Sequence, residues 1–575
     1  LFDRETLPTN WGLNLAAVLR YLETTFRFPL SWIRRRVNGL NKAPLPIPAN
    51  QSAPRTRRVA GQEIEIKLLA APADLGRVAD LALIRAMIRG EISRGREHTT
   101  YYDAPDLTLA RRGLALRLRR RGAQRIQAVK TMGLPASADG AGIAIRREWE
   151  WSVQGDQPDT SLLRGDGLED MIPPALAAKL AGIFSTDIQR TLIPLHLGDG
   201  VEVEMALDLG QASALFRDTG AAAGGQAHSI ISEVELELKR GSIADLFRLA
   251  AAIHGRVPLR LSTRSKADIG FALVTGTRPG PMFARPLAIT PITTVTEAFR
   301  HVMRNGLAHM LDNQEALVTE DGTGDAAALR ELAAATRRLD AGYGLFRRLI
   351  HTGRGDTLRL ELRRHARVLE KARAWQRLAL ALGELEPDQR RPLSGPVSQA
   401  RAKALERVRR LLNAPEWTGW QLAFAQWLEE GEWSRQPHGC PFGTMMDEMA
   451  GPLLAKRIGK ALRAGGVLDQ RQPFGLDDAA KLTRRMKYLR YALDYCRAVW
   501  PADRVRPLLD MVDALLVPLK AAADAAAGGT MLDKLGYSTG GDALRRQARA
   551  ALAPVPALWA SFTPLASRFI EQPKG

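Results

Sequence analysis

Cysteine is almost absent from this chain: Cys440 and Cys496 are the only two, far apart in sequence. That spacing excludes a disulfide framework, and no Cys/His cluster has the spacing of a zinc site. Aromatic residues make up only 6%, and they are not interleaved with the basic residues in the manner of a nucleic-acid binder. No apolar run approaches the ~20 residues a membrane-spanning helix needs. No recognised nucleic-acid-binding motif is present either.

Arginine and lysine are what the chain has in excess. They outnumber Asp and Glu by 82 to 62 over 575 residues, a net charge of +20. This balance favours polyanionic partners without choosing among nucleic acid, anionic lipid and polyphosphate. The remaining composition, 45% hydrophobic and 25% charged, is that of a globular protein, and the length predicts two to four domains.

The chain divides by pattern. Residues 1–60 read as an appendage: Trp11 to Leu40 is weakly amphipathic with a basic cluster at Arg34-Arg35-Arg36, and Asn41 to Arg58 is a proline-containing linker. Residues 61–275 are short alternating segments punctuated by Gly, Asp and Pro, which predicts antiparallel strands. Helical interludes are expected near Ala73–Ile88, Pro173–Leu180 and Ile243–Ile253. Residues 276–290 form a second linker. From 291 to 575 the sequence is rich in Ala, Leu and Arg with helical periodicity. His438-Gly439-Cys440 reads as a loop, and His309 and His365 as helix-surface or packing residues.

The chemistry begins at Gly61-Gln62-Glu63-Ile64-Glu65-Ile66-Lys67. On a strand, Glu63, Glu65 and Lys67 share one face and Ile64 and Ile66 the other. Alone, that also describes a wet strand face. The pattern recurs, however. Arg117 and Arg119 alternate with leucines, and Lys130 ends a further strand. Glu148 and Glu150 flank Trp149. Glu202, Glu204 and Asp208 share a parity, as do Glu233, Glu235 and Glu237. Arg190 and Lys266 lie near other strand-like pieces. If the sheet closes, the charged face lines a tunnel and the apolar face packs on helices. Arg binds phosphate oxygens in bidentate fashion, Lys adds a point charge, and clustered carboxylates need a cation such as Mg²⁺ or Mn²⁺. The ligand this predicts is a metal-bound chain of phosphates. Trp149 and Trp151 are expected to pack rather than to stack on a ligand.

These residues resemble the CYTH family, the triphosphate tunnel metalloenzymes. The resemblance rests on Glu63-x-Glu65-x-Lys67, on Tyr101-Tyr102-Asp103-Ala104-Pro105-Asp106 leading into Arg117-Leu118-Arg119, and on Lys130. It continues through Glu148 and Glu150, Arg190, Glu204 with Ala206-Leu207-Asp208-Leu209-Gly210, Ser232 to Lys239, and Ser265-Lys266-Ala267. It covers residues 61–275. It implies an eight-stranded antiparallel β-barrel tunnel that hydrolyses or cyclises triphosphates with Mg²⁺ or Mn²⁺. Lys67, Arg117, Arg119, Lys130, Arg190 and Lys266 would grip phosphate, with Lys67 and Lys266 closest to the chemistry. Glu63, Glu65, Asp208, Glu233 and Glu235 would hold metal. Glu148, Glu150, Glu204 and Glu237 are candidates for a second ion.

The helical part resembles the CHAD domain, an all-α bundle that binds polyphosphate in some members. Ala335-Thr336-Arg337-Arg338-Leu339 and Lys487-Tyr488-Leu489-Arg490-Tyr491-Ala492-Leu493 carry the likeness. Lys403, Arg407 and Arg410, and Lys456, Lys460 and Arg463, each stack on one helix face. Arg337, Arg338, Lys403, Arg407, Arg410, Lys456, Lys460, Lys487 and Arg490 are the candidate polyphosphate ligands. The chain departs from that family at Arg330 and Ala480, where histidines are expected. Ala333 and Thr483 stand at basic positions, and so does Asp340. A scaffold role is therefore the alternative for this part.

The combined expectation is an α+β multidomain protein, a bacterial cytoplasmic inorganic triphosphatase with a divergent helical module. The alternatives are thiamine triphosphate hydrolysis, adenylate cyclisation, and non-catalytic polyphosphate binding. Nucleic acid is not an expected partner.

Overall fold

The computed structural model describes residues 58–571 except 132–141, 165–166, 216–226, 319–325, 351–352, 384–386, 435–442 and 470–473. The expected appendage, most of the first linker and the His438 loop lie outside the described residues.

Nine strands form one antiparallel sheet: β1 (Arg58–Leu69), β2 (Ser93–Asp103), β3 (Leu114–Arg121), β4 (Gln124–Thr131), β5 (Ile143–Ser152), β6 (Ala181–His196), β7 (Glu202–Ala214), β8 (His228–Arg240) and β9 (Arg260–Ser262). Their spatial order is β5-β4-β3-β2-β6-β7-β8-β1-β9, and β1 also pairs with β5. That last pairing runs from Arg58↔Glu150 to Ile66↔Ile143, so eight strands close into a ring. Short β9 continues the seam, with Lys67 opposite Ser262. Closure follows from the two-residue period. Ile66, Leu68, Val234 and Leu236 are fully buried on the outer face, which leaves the charged parity inside.

The expected helical interludes appear as α1 (Pro72–Asp80), α2 (Ala82–Met87), a short turn at Pro174–Ala177, and α3 (Ile243–His254). Helix α4 (Lys266–Thr275) leans on the barrel. A Cβ at Gly270 would lie 2.1 Å from the Phe184 ring, so only glycine permits that approach. Phe184 in turn stacks on Tyr101, with ring centroids 4.3 Å apart.

The rest is helical: α5 (Val295–Gln314), α6 (Ala326–Phe346), α7 (Gly353–Leu382), α8 (Pro387–Asn413), α9 (Pro415–Glu430), α10 (Met446–Asp469), α11 (Leu476–Cys496), α12 (Ala502–Lys534), α13 (Ser538–Ala551) and α14 (Val555–Glu571). One apolar core runs without a break from Ile66 and Val234 of the sheet, through Phe247 of α3, to Phe299, Trp417 and Trp427 of the bundle. Buried Gln314 ties the parts by polar contacts. Its Nε2 donates to the Leu261 carbonyl at 2.7 Å, while its Oε1 accepts from Trp417 Nε1 and Gln421 Nε2, both at 2.9 Å. His254 Nε2 lies 2.8 Å from the Pro415 carbonyl. His365 packs edge-on against Trp417, and His309 is buried. No helix among the described residues is long and apolar enough to cross a membrane.

Candidate active site in the barrel

Antiparallel pairing sets the site. Directly opposed residues share a face, so Arg190↔Asp208, Asp208↔Glu233, Glu235↔Lys67, Glu237↔Glu65 and Lys130↔Glu148 all point inward. Apart from Asp208 and Glu233, they line a cavity of about 230 Å³ whose described wall carries eight acidic and eight basic side chains. Asp208 and Glu233, both essentially inaccessible, lie next to that wall.

The groups sort into three clusters. In the deepest, Lys67 donates to Glu233 at 2.8 Å and also to Glu235. Lys266 donates to Glu235 at 2.8 Å and to Glu233, and pairs with Asp208 at 2.7 Å. Arg190 donates through Nε to Asp208 at 2.7 Å and through its terminal nitrogen to Glu235 at 2.7 Å. In the second cluster, Lys130 bonds Glu63 at 2.8 Å and pairs with Glu148 at 3.0 Å. Arg117 reaches Glu148 at 3.2 Å and Arg119 reaches Glu150 at 3.3 Å. In the third, half-exposed Lys239 pairs with Glu237 at 2.5 Å and Glu204 at 3.4 Å. Of the residues in the strand pattern, all but exposed Glu202 therefore lie on or beside this one cavity. Glu65, 7% exposed, is on its wall.

Burial penalises each charge, and the partners decide the outcome. Burial pulls the Lys266 ammonium down, but Asp208, Glu233 and Glu235 outweigh it and hold the pKa well above the usual lysine range. Lys67 is raised in the same way, against burial, by Glu233 and Glu235. Burial pushes Glu235 up, yet Lys266, Lys67 and Arg190 hold it well below the carboxylate range. Glu237 is raised by burial, with Glu63 and Glu204 adding to it. Asp208 is likewise lowered, against burial, by Lys266 and Arg190, so Lys67, Lys266, Asp208 and Glu235 are all favoured in their charged forms.

Local structure places these groups for physical reasons. Ser265 caps α4: its hydroxyl accepts from Asp268 N at 3.1 Å, and the Asp268 carboxylate accepts from Ser265 N at 2.7 Å. Lys266 is then the first helical residue, where the helix dipole disfavours a cation. The facing carboxylates offset that. The Asp103 carboxylate accepts from the backbone of Ala104, Leu109 and Ala110 at 2.7–2.9 Å. It braces the turn that feeds Arg117 and Arg119. Trp149 is buried in a small cluster with Leu116 and Val129, with Trp151 packed against it, away from the cavity.

The cavity holds residues beyond those expected: Glu97, Arg121 and Lys239. Arg121 continues the parity of Arg117 and Arg119, and Lys239 that of Glu233 to Glu237, so both were within reach of the pattern. Glu97 shares a parity with Tyr101 but lacks an acidic neighbour at the next position.

The basic residues of the helical part do not all converge. Arg337, Lys456 and Lys460 line one cleft of about 940 Å³, together with Arg347, Arg348, Arg359, Arg363, Arg367, Arg457, Arg484 and Arg485. Lys487 lines the hollow beside it. Arg338 turns away, bonded to Asp494 at 2.9 Å, and Arg490 bonds Asp513 at 2.8 Å. Lys403 and Arg410 lie outside the cleft, and Arg407 lines a separate shallow depression with Arg364 and Lys371. Helical spacing specifies one face of one helix and not which faces meet. Asp340 sits inside the cleft and accepts from Arg359 Nε at 2.7 Å, Arg363 Nε at 2.8 Å and the Tyr488 hydroxyl.

A family model for the CYTH domain matches residues 61–268, and one for the CHAD domain matches residues 301–533. The chain carries a CYTH domain followed by a CHAD domain. An inorganic triphosphatase of Haemophilus influenzae is 30% identical over 214 residues. That match takes in 37% of this chain and 55% of the relative, so the chain spans about half the length of that curated protein. Among solved structures, the CHAD domain of the plant Ricinus communis is 19% identical with a TM-score of 0.43, covering 50% of this chain and 96% of that one. A Hippeastrum protein, described as a putative adenylyl cyclase with a dominant triphosphatase activity, is 16% identical with a TM-score of 0.26, covering 36% of this chain and 95% of that one.

The described wall of the CYTH cavity carries balanced charge, whereas the CHAD cleft, with eleven basic and two acidic side chains, carries a net positive one.

Proposed function

We propose that the CYTH domain hydrolyses inorganic triphosphate to diphosphate and phosphate with the help of Mg²⁺ or Mn²⁺. The observation that carries this reading is the charge balance of the site: eight bases on the wall face eight acids on it and Asp208 and Glu233 beside it. A wall of that kind has no net attraction for a chain of phosphates. Divalent cations taken up by the acids would release the bases to the phosphate oxygens.

The donor set fits such an ion. Asp208, Glu233 and Glu235 offer carboxylate oxygens within 4.8 Å of one another. Glu233 Oε2 is buried without a hydrogen-bond partner, which is costly unless something positive satisfies it. These three, with Glu63 and Glu65, would hold the metal, and Glu148, Glu150, Glu204 and Glu237 would serve a second ion. A bound Mg²⁺ or Mn²⁺ supplies charge neutralisation and a water of lowered pKa. Lys67, Lys266 and Arg190 would orient the phosphate nearest the deep cluster, and Arg117, Arg119 and Lys130 the others. Lys266, fixed at a helix start, would hold its phosphate with little loss of side-chain freedom.

An inorganic substrate is favoured over a nucleotide or thiamine triphosphate because Tyr101 is the only aromatic side chain on the described wall. For the CHAD domain we propose metal-independent binding of polyphosphate in the arginine cleft. Phosphate release from triphosphate, ATP, thiamine triphosphate and long-chain polyphosphate, measured with Mg²⁺ or Mn²⁺, tests the enzymatic reading. Triphosphate should be turned over fastest. Equal inactivity towards all four would leave a non-catalytic polyphosphate-binding protein.

A further inference from the structure

We propose that the CHAD cleft takes a nucleoside polyphosphate, its phosphates on the arginines and its base in an adjoining apolar compartment. This rests on the anion-binding reading of the cleft and adds a second half to the site.

The compartment is a hollow of about 340 Å³ beside the basic cleft, and Arg337, Arg484 and Tyr488 border both. Its wall is mainly carbon. Ala341, Ala480, Thr483 and Ala523 are short side chains whose size leaves the space open, and Tyr488 and Tyr491 supply ring surface. The two tyrosines are three residues apart on α11, hence on one helix face. Both rings are held before any ligand arrives. The Tyr488 hydroxyl donates to Asp340, and the Arg457 guanidinium lies 5.6 Å from its ring centre. The Tyr491 oxygen accepts from Arg337 Nε at 3.4 Å, and Arg338 lies 5.8 Å from its ring centre.

An inorganic phosphate chain has no surface that an apolar hollow can desolvate. Such a hollow, continuous with a phosphate cleft, contributes only to a ligand with an anionic and an apolar half. Flat tyrosine walls favour a ring over an alkyl chain, because a base stacks on an aromatic face. Charge complementarity sets the orientation. Arg337 and Arg484 stand where the compartment meets the cleft, and Lys487 lines the compartment beside them, so phosphates attached to the base lie against this basic edge. Lys487 carries a pKa pulled down to about 8 by burial and by Arg337, which a phosphate alongside would relieve.

Calorimetric titration of the full chain with ATP and with inorganic triphosphate, both in EDTA, tests the adenosine against charge, since triphosphate has one more ionisable oxygen and charge alone would favour it. ATP should bind about tenfold more tightly, the scale of one stacked base. Ala480→Leu and Ala523→Leu fill the hollow from positions outside the packed core: Ala480 is exposed and Ala523 intermediate. The double variant should bring ATP to the affinity of triphosphate and leave triphosphate within about twofold, with the melting temperature confirming the fold. Ala480→Leu alone should give part of the loss. Equal affinity of the two ligands for the wild type, or equal loss of both in the variant, overturns the base compartment and leaves the anion cleft standing. Binding of neither ligand overturns both readings.

Discussion

The barrel cavity and the helical cleft both gather arginines and lysines, but only the barrel answers each base with an acid. In the barrel, Lys67, Lys266 and Arg190 are bound up with Asp208, Glu233 and Glu235. In the cleft, Asp340 and Glu370 face eleven basic groups. Ion pairs in the barrel are nearly dry, so breaking one by removing a single partner is costly. In the cleft, like charges crowd one another: burial and then Arg348, Lys460 and Arg457 pull the Lys456 ammonium down. The barrel thus presents its bases already paired with acids, whereas the cleft presents bases in excess.

Substitutions in the barrel should break this comparison most severely. Lys266→Ala leaves Glu233 and Asp208 buried with less compensation, and triphosphate turnover should fall by roughly 10²-fold or more. Polyphosphate binding by the cleft should be unchanged, and phosphate-release kinetics beside a binding titration would separate the two. Glu65→Gln should likewise abolish metal-dependent turnover. Unchanged activity would remove Glu65 from the metal site.

A smaller change should sharpen the contrast. Asp340→Asn removes the internal anion that Arg359, Arg363 and Tyr488 share. Polyphosphate affinity should rise about fivefold, with a steeper dependence on salt, since freeing half-exposed Arg363 from its pair is worth about 1 kcal/mol. Triphosphate turnover in the barrel should not move.

A separate effect, on stability and not on binding or turnover, appears at acid pH. Burial, with Arg338 adding to it, pulls the His309 imidazole down to about 4 against the Glu331 carboxylate. The unfolded chain takes up that proton near pH 6.5 and the folded chain only near pH 4, so this contribution is complete above pH 6.5 and is lost as pH falls towards 4. His309→Gln should flatten the loss of denaturation free energy between pH 7 and pH 5. An unchanged slope would assign the acid sensitivity to other groups.

The sequence discloses these two sites unequally. A period of two puts Glu63, Glu65 and Lys67 on one face of β1 wherever the strand goes, and closure of the ring then leaves one interior for all such faces. The pattern therefore gathered most of the barrel wall, missing Arg121 and Lys239, which continue it, and Glu97, which does not. Helix periodicity gives no comparable guarantee. Lys403, Arg407 and Arg410 share a face of α8, but that face does not meet the cleft. Arg359, Arg363 and Arg367, equally spaced on α7, do line it. Asp340 stood out as an acid at a basic position, yet its partners come from α7 and α11 and became visible only with the packing of those helices. Gln314 carried no signal, because its role depends on a carbonyl of β9 and an indole of α9.

The most direct test compares the two sites with and without metal on the same preparation. Phosphate release from triphosphate and binding of long-chain polyphosphate are measured in Mg²⁺ and then in EDTA. The charge balance predicts that EDTA abolishes release and leaves polyphosphate binding intact. Release that persists in EDTA, or polyphosphate binding that is lost with the metal, would contradict it.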